Sequence, residues 1–321
     1  MTPNRDELLE RFRAGEVLAA SRLMSAIERG GDDAEAILDH LFPLVGRAYR
    51  VGVTGGTGGG KSTLIDALTR RHRAAGETVG VVAEDPTSPF TGGAILGDRI
   101  RMEAAAGDTG VFVRSVASRG SETGFSVLAG DLADVLDAFG RDVVLLETTG
   151  VGQLEFRIHF AADTTIVVFT PESGDEVQSL KSGLIEVGDI FAVNKADRPH
   201  AGAFARDLES TLALRAEGAA WTPPVVETVA NRGDGVDELA EAVARHRSFL
   251  ASDGRLEARR AEGLRNRVRA IATEKLSGLF WGNSYIEARF DGILGEVAAG
   301  TLPPYAAARR LVDAVRVEQS K

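Results

Sequence analysis

Between residues 49 and 229 one pattern recurs. Short β-prone apolar runs alternate with amphipathic stretches. The runs are YRVGVT (49–54), TVGVVA (78–83), GVFVRSV (110–116), DVVLLE (142–147), TTIVVFT (164–170), DIFAVN (189–194) and PPVVETV (223–229). Several are apolar almost throughout, as strands covered on both faces must be. Strands that alternate with helices predict an α/β fold with a mainly parallel, doubly wound sheet.

The flanks read differently. In residues 5 to about 42, Leu8, Leu9, Phe12, Val17, Leu18, Leu23 and Ile27 recur at helical spacing, and Gly30-Gly31 breaks the run. A second helix is predicted over Asp33 to Leu41, ahead of Pro43. After about residue 235 three helical stretches follow: VDELAEAVARHRSFL, RLEARRAEGLRNRVRAIATEKL and PPYAAARRLVDAVRV. The expected organisation is an N-terminal helical extension (1–48), an α/β domain (49–251) and a C-terminal helical arm (252–321).

The strand YRVGVT runs into Gly55, Gly56, Thr57, Gly58, Gly59, Gly60, Lys61 and Ser62, then into the amphipathic TLIDALTRR. This is G-x-x-x-x-G-K-[ST] with a strand before it and a helix after it. Glycines let backbone N–H groups turn towards phosphate oxygens, and the helix N-terminus adds a positive dipole end. Residues 55–62 together with Thr63 are the candidate phosphate-binding set. Lys61 is placed to reach the β- and γ-phosphates, and the Ser62 hydroxyl to ligate Mg²⁺.

DIFAVN leads into Asn194-Lys195-Ala196-Asp197, an N-K-x-D sequence at a strand end. A carboxylate there can accept from the N1–H and N2–H₂ groups of guanine. Adenine offers no such pair and would leave it unsatisfied. GTP is therefore expected over ATP. DVVLLE is followed by Thr148-Thr149-Gly150, which places Glu147 where switch loops carry a metal-side acid and Gly150 where an N–H senses the γ-phosphate. Gln153 lies three residues past Gly150 and is not assigned to orient water.

Two further acids, Asp85 and Asp98, bracket the turn-rich DPTSPFTGG. Mg²⁺ keeps several waters beside one or two carboxylates and phosphate oxygens. Ser62, Asp85, Asp98 and Glu147 are the candidate metal ligands. Asp85 is expected on the strand next to the one that enters the glycine-rich loop. Asp98 has a second reading, as N-cap of DRIRMEAAA.

The chain resembles the MeaB/ArgK/MMAA family of P-loop GTPases. The resemblance rests on DPTSPFTGGAILGDRIRM, ETTGVGQLE, PESGDEVQSLKSGLIEVGDIFAVNKAD and WTPPVVETVA. It implies a Mg²⁺-dependent GTPase of low intrinsic rate, a chaperone of an adenosylcobalamin-dependent acyl-CoA mutase. That chaperone gates cofactor loading and protects the mutase. The resemblance also implies a C-terminal dimerisation arm, hence a homodimer. Mobile loops are implied at 85–102 and Glu147–Glu155, with a partner-coupled switch at Pro171–Ser182. In that switch Asp175, Glu176, Gln178 and Lys181 match the family pattern, and Lys181 carries the coupling to catalysis. Val229 and Ala230 join the nucleotide contacts. Thr57 stands where the family has Pro, Thr149 where it has Val, Glu172 where a small residue is usual, and Glu84 where an apolar one is. No phosphate or metal group is lost. The changes near the switches leave the partner open between methylmalonyl-CoA mutase and a relative.

Other classes fit less well. The chain has no cysteine, and its five histidines are scattered. A metallochaperone needs soft or imidazole ligands for its cargo. A kinase reading lacks a recognisable acceptor site and conflicts with the guanine-reading sequence. The net charge is −10, which disfavours a general nucleic-acid binder. The basic 255–275 stretch, with its interleaved acids, reads as a solvated or dimerising helix. The charged start, MTPNRDELLERF, is unlike a signal peptide, and no apolar run is long enough to span a membrane. The expectation is a cytoplasmic protein with no membrane partner.

Overall fold

The computed structural model describes residues 4–86, 107–118, 127–148, 157–172, 183–216 and 218–318. The strands are β1 (Tyr49–Gly55), β2 (Val79–Pro86), β3 (Val111–Ser118), β4 (Val143–Glu147), β5 (Thr164–Phe169), β6 (Ile190–Asn194) and β7 (Val225–Thr228). They form one sheet in the order β3-β2-β4-β1-β5-β6-β7, with every pair parallel. All seven predicted runs are strands, with ends shifted by up to three residues.

The neighbour relations differ from the sequence reading in one place. β4 lies between β1 and β2, so Asp85 is not on the strand beside the glycine-rich loop. The register explains the arrangement: Glu147 of β4 pairs with Val53 on one side and Ala83 on the other. Parallel strands need crossover connections, so sequence order alone does not fix which strands pair.

The helices are α1 (Arg5–Arg13), α2 (Val17–Arg29), α3 (Asp32–Leu41), α4 (Lys61–Ala74), α5 (Val127–Ala138), α6 (Ile158–Ala161), α7 (Leu184–Val187), α8 (Ala201–Arg215), α9 (Val236–Leu250), α10 (Arg255–Trp281), α11 (Ser284–Ala298) and α12 (Pro304–Glu318). The N-terminal run breaks twice rather than once. Gly15 adopts φ +81, and its N–H closes on the Phe12 carbonyl, ending α1 before Gly30-Gly31 is reached. The sequence reading passed over α11. Its Gly292 and Gly295 weaken helix propensity. Asn283 nevertheless caps it by accepting from the Tyr285 N–H at 2.9 Å, and Ile286 and Ile293 are buried.

Alternation along the strands sends side chains to two covered faces. One face carries Val51, Val53, Val81 and Leu145 against Leu64, Ile65 and Leu68 of α4 and Leu239 and Val243 of α9. The other carries Val82, Val144 and Leu146 against Leu132 and Leu136 of α5 and against Leu8, Phe12, Leu23 and Ile37 of the N-terminal helices. Beneath the sheet the chain entering β1 is held by Asp137. This buried carboxylate accepts from the N–H groups of Gly46, Arg47 and Ala48 at 2.9 to 3.0 Å, and from Arg50 at 3.0 Å. Residues up to Leu264 form one compact unit and those from Arg265 another. The second unit has its own small core of Ile286, Ile293, Leu302 and Leu311. Among the described residues no helix is long and apolar enough to cross a membrane.

Candidate nucleotide site

The C-terminal ends of the central strands define one edge of the sheet, where α/β folds place their ligands. Gly55 of β1, Glu147 of β4, Asn194 of β6 and Thr228 of β7 all end there, with Gly55 in register with Val168.

The loop from Gly55 to Gly60 turns β1 into α4. Gly55 has φ +136, and a Cβ on it would sit 2.2 Å from the Val168 carbonyl oxygen. Gly60 has φ +84 as the residue before α4, where a Cβ would sit 2.4 Å from the Asn194 amide nitrogen. Both conformations favour glycine, and at Gly55 the added Cβ would meet backbone, which cannot give way as a side chain can. The Lys61 ammonium donates to the carbonyls of Gly55 at 2.7 Å and Gly56 at 3.0 Å, which folds the buried side chain over the loop. α4 begins at Lys61, so the first turn of the helix, the end that favours anions, lies directly after the glycine-rich loop. Thr57 and Gly58 are exposed at the loop tip, and Gly59 is buried.

The Ser62 hydroxyl donates to Glu147 Oε1 at 2.7 Å, and Glu147 is buried. Two hard oxygen donors thus meet at the start of α4. That chemistry fits Mg²⁺, which takes few protein ligands and keeps waters. Among the described residues no group of three or more His, Asp or Glu side chains converges as a metal cage. Asp85 has its backbone at the end of β2, in register with Ala117; its side chain lies outside what the structure describes. Asp98, Gly150 and Lys181 lie outside the described residues altogether, as do Asp175, Glu176 and Gln178. Next to Glu147, the Thr148 hydroxyl donates to Thr54 Oγ1 at 3.1 Å, both buried, and stitches the end of β4 to the end of β1.

Asn194 is the centre of the base side. Its Nδ2 donates to the Gly59 carbonyl at 2.8 Å. Its Oδ1 accepts from the Ala230 N–H at 3.1 Å and from the Thr228 hydroxyl at 3.2 Å. Lys195 follows in the left-handed region, φ 59, with its side chain partly buried. The Ala196 N–H reaches the Thr228 carbonyl at 3.0 Å, and the Arg198 N–H reaches the Lys195 carbonyl at 3.0 Å. These bonds set Asp197, exposed, at the tip of the turn. Val229 and Ala230 are buried, and Val229 is fixed by a bond from its N–H to the Asp234 carbonyl at 3.0 Å. Sequence reading missed Thr228, Thr54 and Thr148. Each is a threonine at a strand end, where a β-branched residue is ordinary and its hydroxyl gives no periodic signal.

A groove of about 350 Å³ lies beyond Ala230, bordered by Arg70, Arg71 and Arg232. Each guanidinium is met by a carboxylate: Asp66 at 2.7 Å, Asp237 at 2.5 Å and Asp234 at 3.1 Å. The groove is therefore charge-balanced and is not built as an anion site.

The family model described as methylmalonyl Co-A mutase-associated GTPase MeaB matches residues 20–285. A Pyrococcus abyssi protein named as a GTPase is 44% identical over 315 residues, 97% of this chain and 96% of that one. GTPase ArgK of Escherichia coli is 34% identical over 320 residues, 97% of each chain. A solved structure of a LAO/AO transport system kinase superposes with a TM-score of 0.74 at 28% identity, covering 98% of this chain and all of that one. With a family match across most of its length, full-length relatives named as GTPases and a glycine-rich loop locked to an N-K-x-D strand end, the chain belongs to the MeaB family of P-loop GTPases.

Proposed function

We propose that this GTPase is a G-protein chaperone of an adenosylcobalamin-dependent acyl-CoA mutase, methylmalonyl-CoA mutase or a relative. On this reading it gates cofactor loading and protects the loaded mutase. The family description, a GTPase associated with methylmalonyl-CoA mutase, supports the partner. The bond from Asn194 to Gly59 carries the nucleotide side of the reading, because one buried amide joins the loop that faces the phosphates to the strand end that faces the base.

In the proposed mechanism Asp197 accepts from the guanine N1–H and N2–H₂ groups. The Lys195 stem and residues Val229 and Ala230 frame the ring. The N–H groups of residues 55–63 surround the phosphates, and Lys61 leaves its loop carbonyls for the β- and γ-phosphate oxygens. Ser62 and Glu147 would hold Mg²⁺, with Asp85 and Asp98 adding carboxylates, and the bound ion would supply positive charge against that developing on the phosphates. Water attacks the γ-phosphorus, GDP leaves, and the Gly150 N–H loses the phosphate it senses. No residue of the isolated chain is assigned to orient that water, so the partner, acting through Lys181, is proposed to complete the site.

The exposed apolar residues of the C-terminal helices, Leu276, Leu279, Trp281 and Tyr305 among them, support a homodimer through that arm. A kinase activity, the word carried by the solved neighbour's name, would need an acceptor and would not need guanine selectivity.

The test is GTP turnover with and without purified adenosylcobalamin-dependent acyl-CoA mutases. Slow turnover alone, faster turnover with one mutase, and loss of that acceleration in Lys181→Ala with GTP affinity kept are expected. Fast turnover that no mutase alters would overturn the proposal.

A further inference from the structure

The turn that carries Asp197 is conformationally expensive. Lys195 has φ 59 and His200 has φ 71, both in the left-handed region and neither a glycine. Such residues persist only where their surroundings hold them. On the inner side the hold is the bond from the Ala196 N–H to the Thr228 carbonyl. On the outer side it is an ion pair: Arg198 Nη1 donates to Glu172 Oε1. Arg198 directly follows Asp197. Glu172 lies three residues past the end of β5, the strand that pairs with β1 along Val51–Gly55. The ion pair therefore fastens the tip of the base-reading turn to the strand beside the glycine-rich loop.

We infer that Glu172 is a positioning residue for guanine recognition: through Arg198 it holds the Asp197 turn closed against the base and slows nucleotide release. Neither residue touches the nucleotide on this reading. Arg198 restrains its chain neighbour, and Glu172 restrains Arg198. Any contact that draws Glu172 away from Arg198 would loosen the base turn. Nucleotide binding would in return favour the paired position of Glu172, since such coupling is reciprocal. The inference rests on the assignment of Asp197 to the base.

The experiment uses the full chain and a fluorescent N-methylanthraniloyl GDP, with release followed after a chase of excess GDP. Glu172→Gln and Arg198→Gln should each speed release by about threefold at low salt, the scale of an exposed ion pair. The exchanged pair, Glu172→Arg with Arg198→Glu, should restore most of the wild-type rate. Raising the salt concentration should narrow the gap between wild type and the single variants, because the pair is exposed and screened. Thermal unfolding of the single variants should match wild type, which separates positioning from a general structural role. Unchanged release in both single variants would overturn the inference, as would faster release that the exchanged pair does not correct. The parent assignment is read separately, from the preference of the wild-type chain for GDP over ADP and from the response of Asp197→Asn to xanthosine diphosphate. If that preference holds while Glu172→Gln releases GDP at the wild-type rate, only the role of Glu172 fails.

Discussion

Asn194 donates its amide N–H to the Gly59 carbonyl at 2.8 Å while its Oδ1 accepts from the Ala230 N–H at 3.1 Å. A single buried side chain thereby holds the glycine-rich loop and the loop after β7 in register. Removing it in Asn194→Ala leaves a buried carbonyl and a buried N–H without that partner, at about 1–3 kcal/mol each. GTP affinity should fall at least tenfold in calorimetric titration. Thr228→Val, which removes only one of the two donors to Oδ1, should cost less. Wild-type affinity in Asn194→Ala would mean that the two loops hold their geometry independently.

Asp197→Asn should exchange guanine for xanthine. The amide can donate to the xanthine 2-carbonyl where the carboxylate accepted from the guanine amino group, so GTP binding weakens and xanthosine triphosphate binding strengthens. Competition of both nucleotides against a fluorescent analogue measures the exchange. Equal binding of ATP and GTP by the wild-type chain would remove the basis for assigning Asp197 to the base.

The contact between Ser62 and Glu147, at 2.7 Å, predicts a shared role at the metal. Ser62→Ala and Glu147→Gln should each raise the Mg²⁺ concentration needed for half-maximal GTP turnover. Their combined effect should be less than the sum of the two free-energy changes, as for residues that act on one ion. Asp98→Ala separates the two readings of that residue: an unchanged Mg²⁺ requirement leaves it as a helix cap.

Acid should destabilise the fold through two histidines far from this edge. His246 lies buried against Trp221 with its Nδ1 at 2.8 Å from Thr164 Oγ1. Burial lowers its pKa and Arg259 lowers it further, while Asp189 opposes them. Burial followed by Arg259 likewise lowers that of His159. A depressed histidine pKa means that the unfolded chain takes up protons that the native chain does not. Stability is then fully present above the unfolded value of about 6.5 and declines as pH falls below it. Urea midpoints between pH 7.5 and 5.0 should fall with pH, and His246→Gln should flatten that slope even if it lowers the midpoint at pH 7.5.

Much of the site was legible in the sequence because its chemistry is local. The turn from Gly55 to Ser62 needs consecutive glycines and a lysine at fixed spacing, and Asn194 to Asp197 needs a strand end before it. The alternation of apolar runs likewise located all seven strands, since burial on both faces imposes apolar residues whatever the strand order. Gly15 was the exception among local signals: one glycine inside a long helical pattern is tolerated as often as it terminates.

Relations between distant segments were not written in any window. The sequence placed Asp85 on a strand beside β1, and the sheet put β4 there instead, because crossovers and two-sided packing choose neighbours globally. Asn194 belongs to the local N-K-x-D run, but its grip on Gly59 requires β6 and the glycine-rich loop to meet across β5. Glu172 stood out only as an unusual residue, and Arg198 as nothing at all. Their pairing exists because the sheet brings the end of β5 beside the end of β6. Periodicity encodes what a residue does against its own helix or strand. Which carboxylate meets which cation is decided by where the chain returns, and that only the tertiary structure supplies.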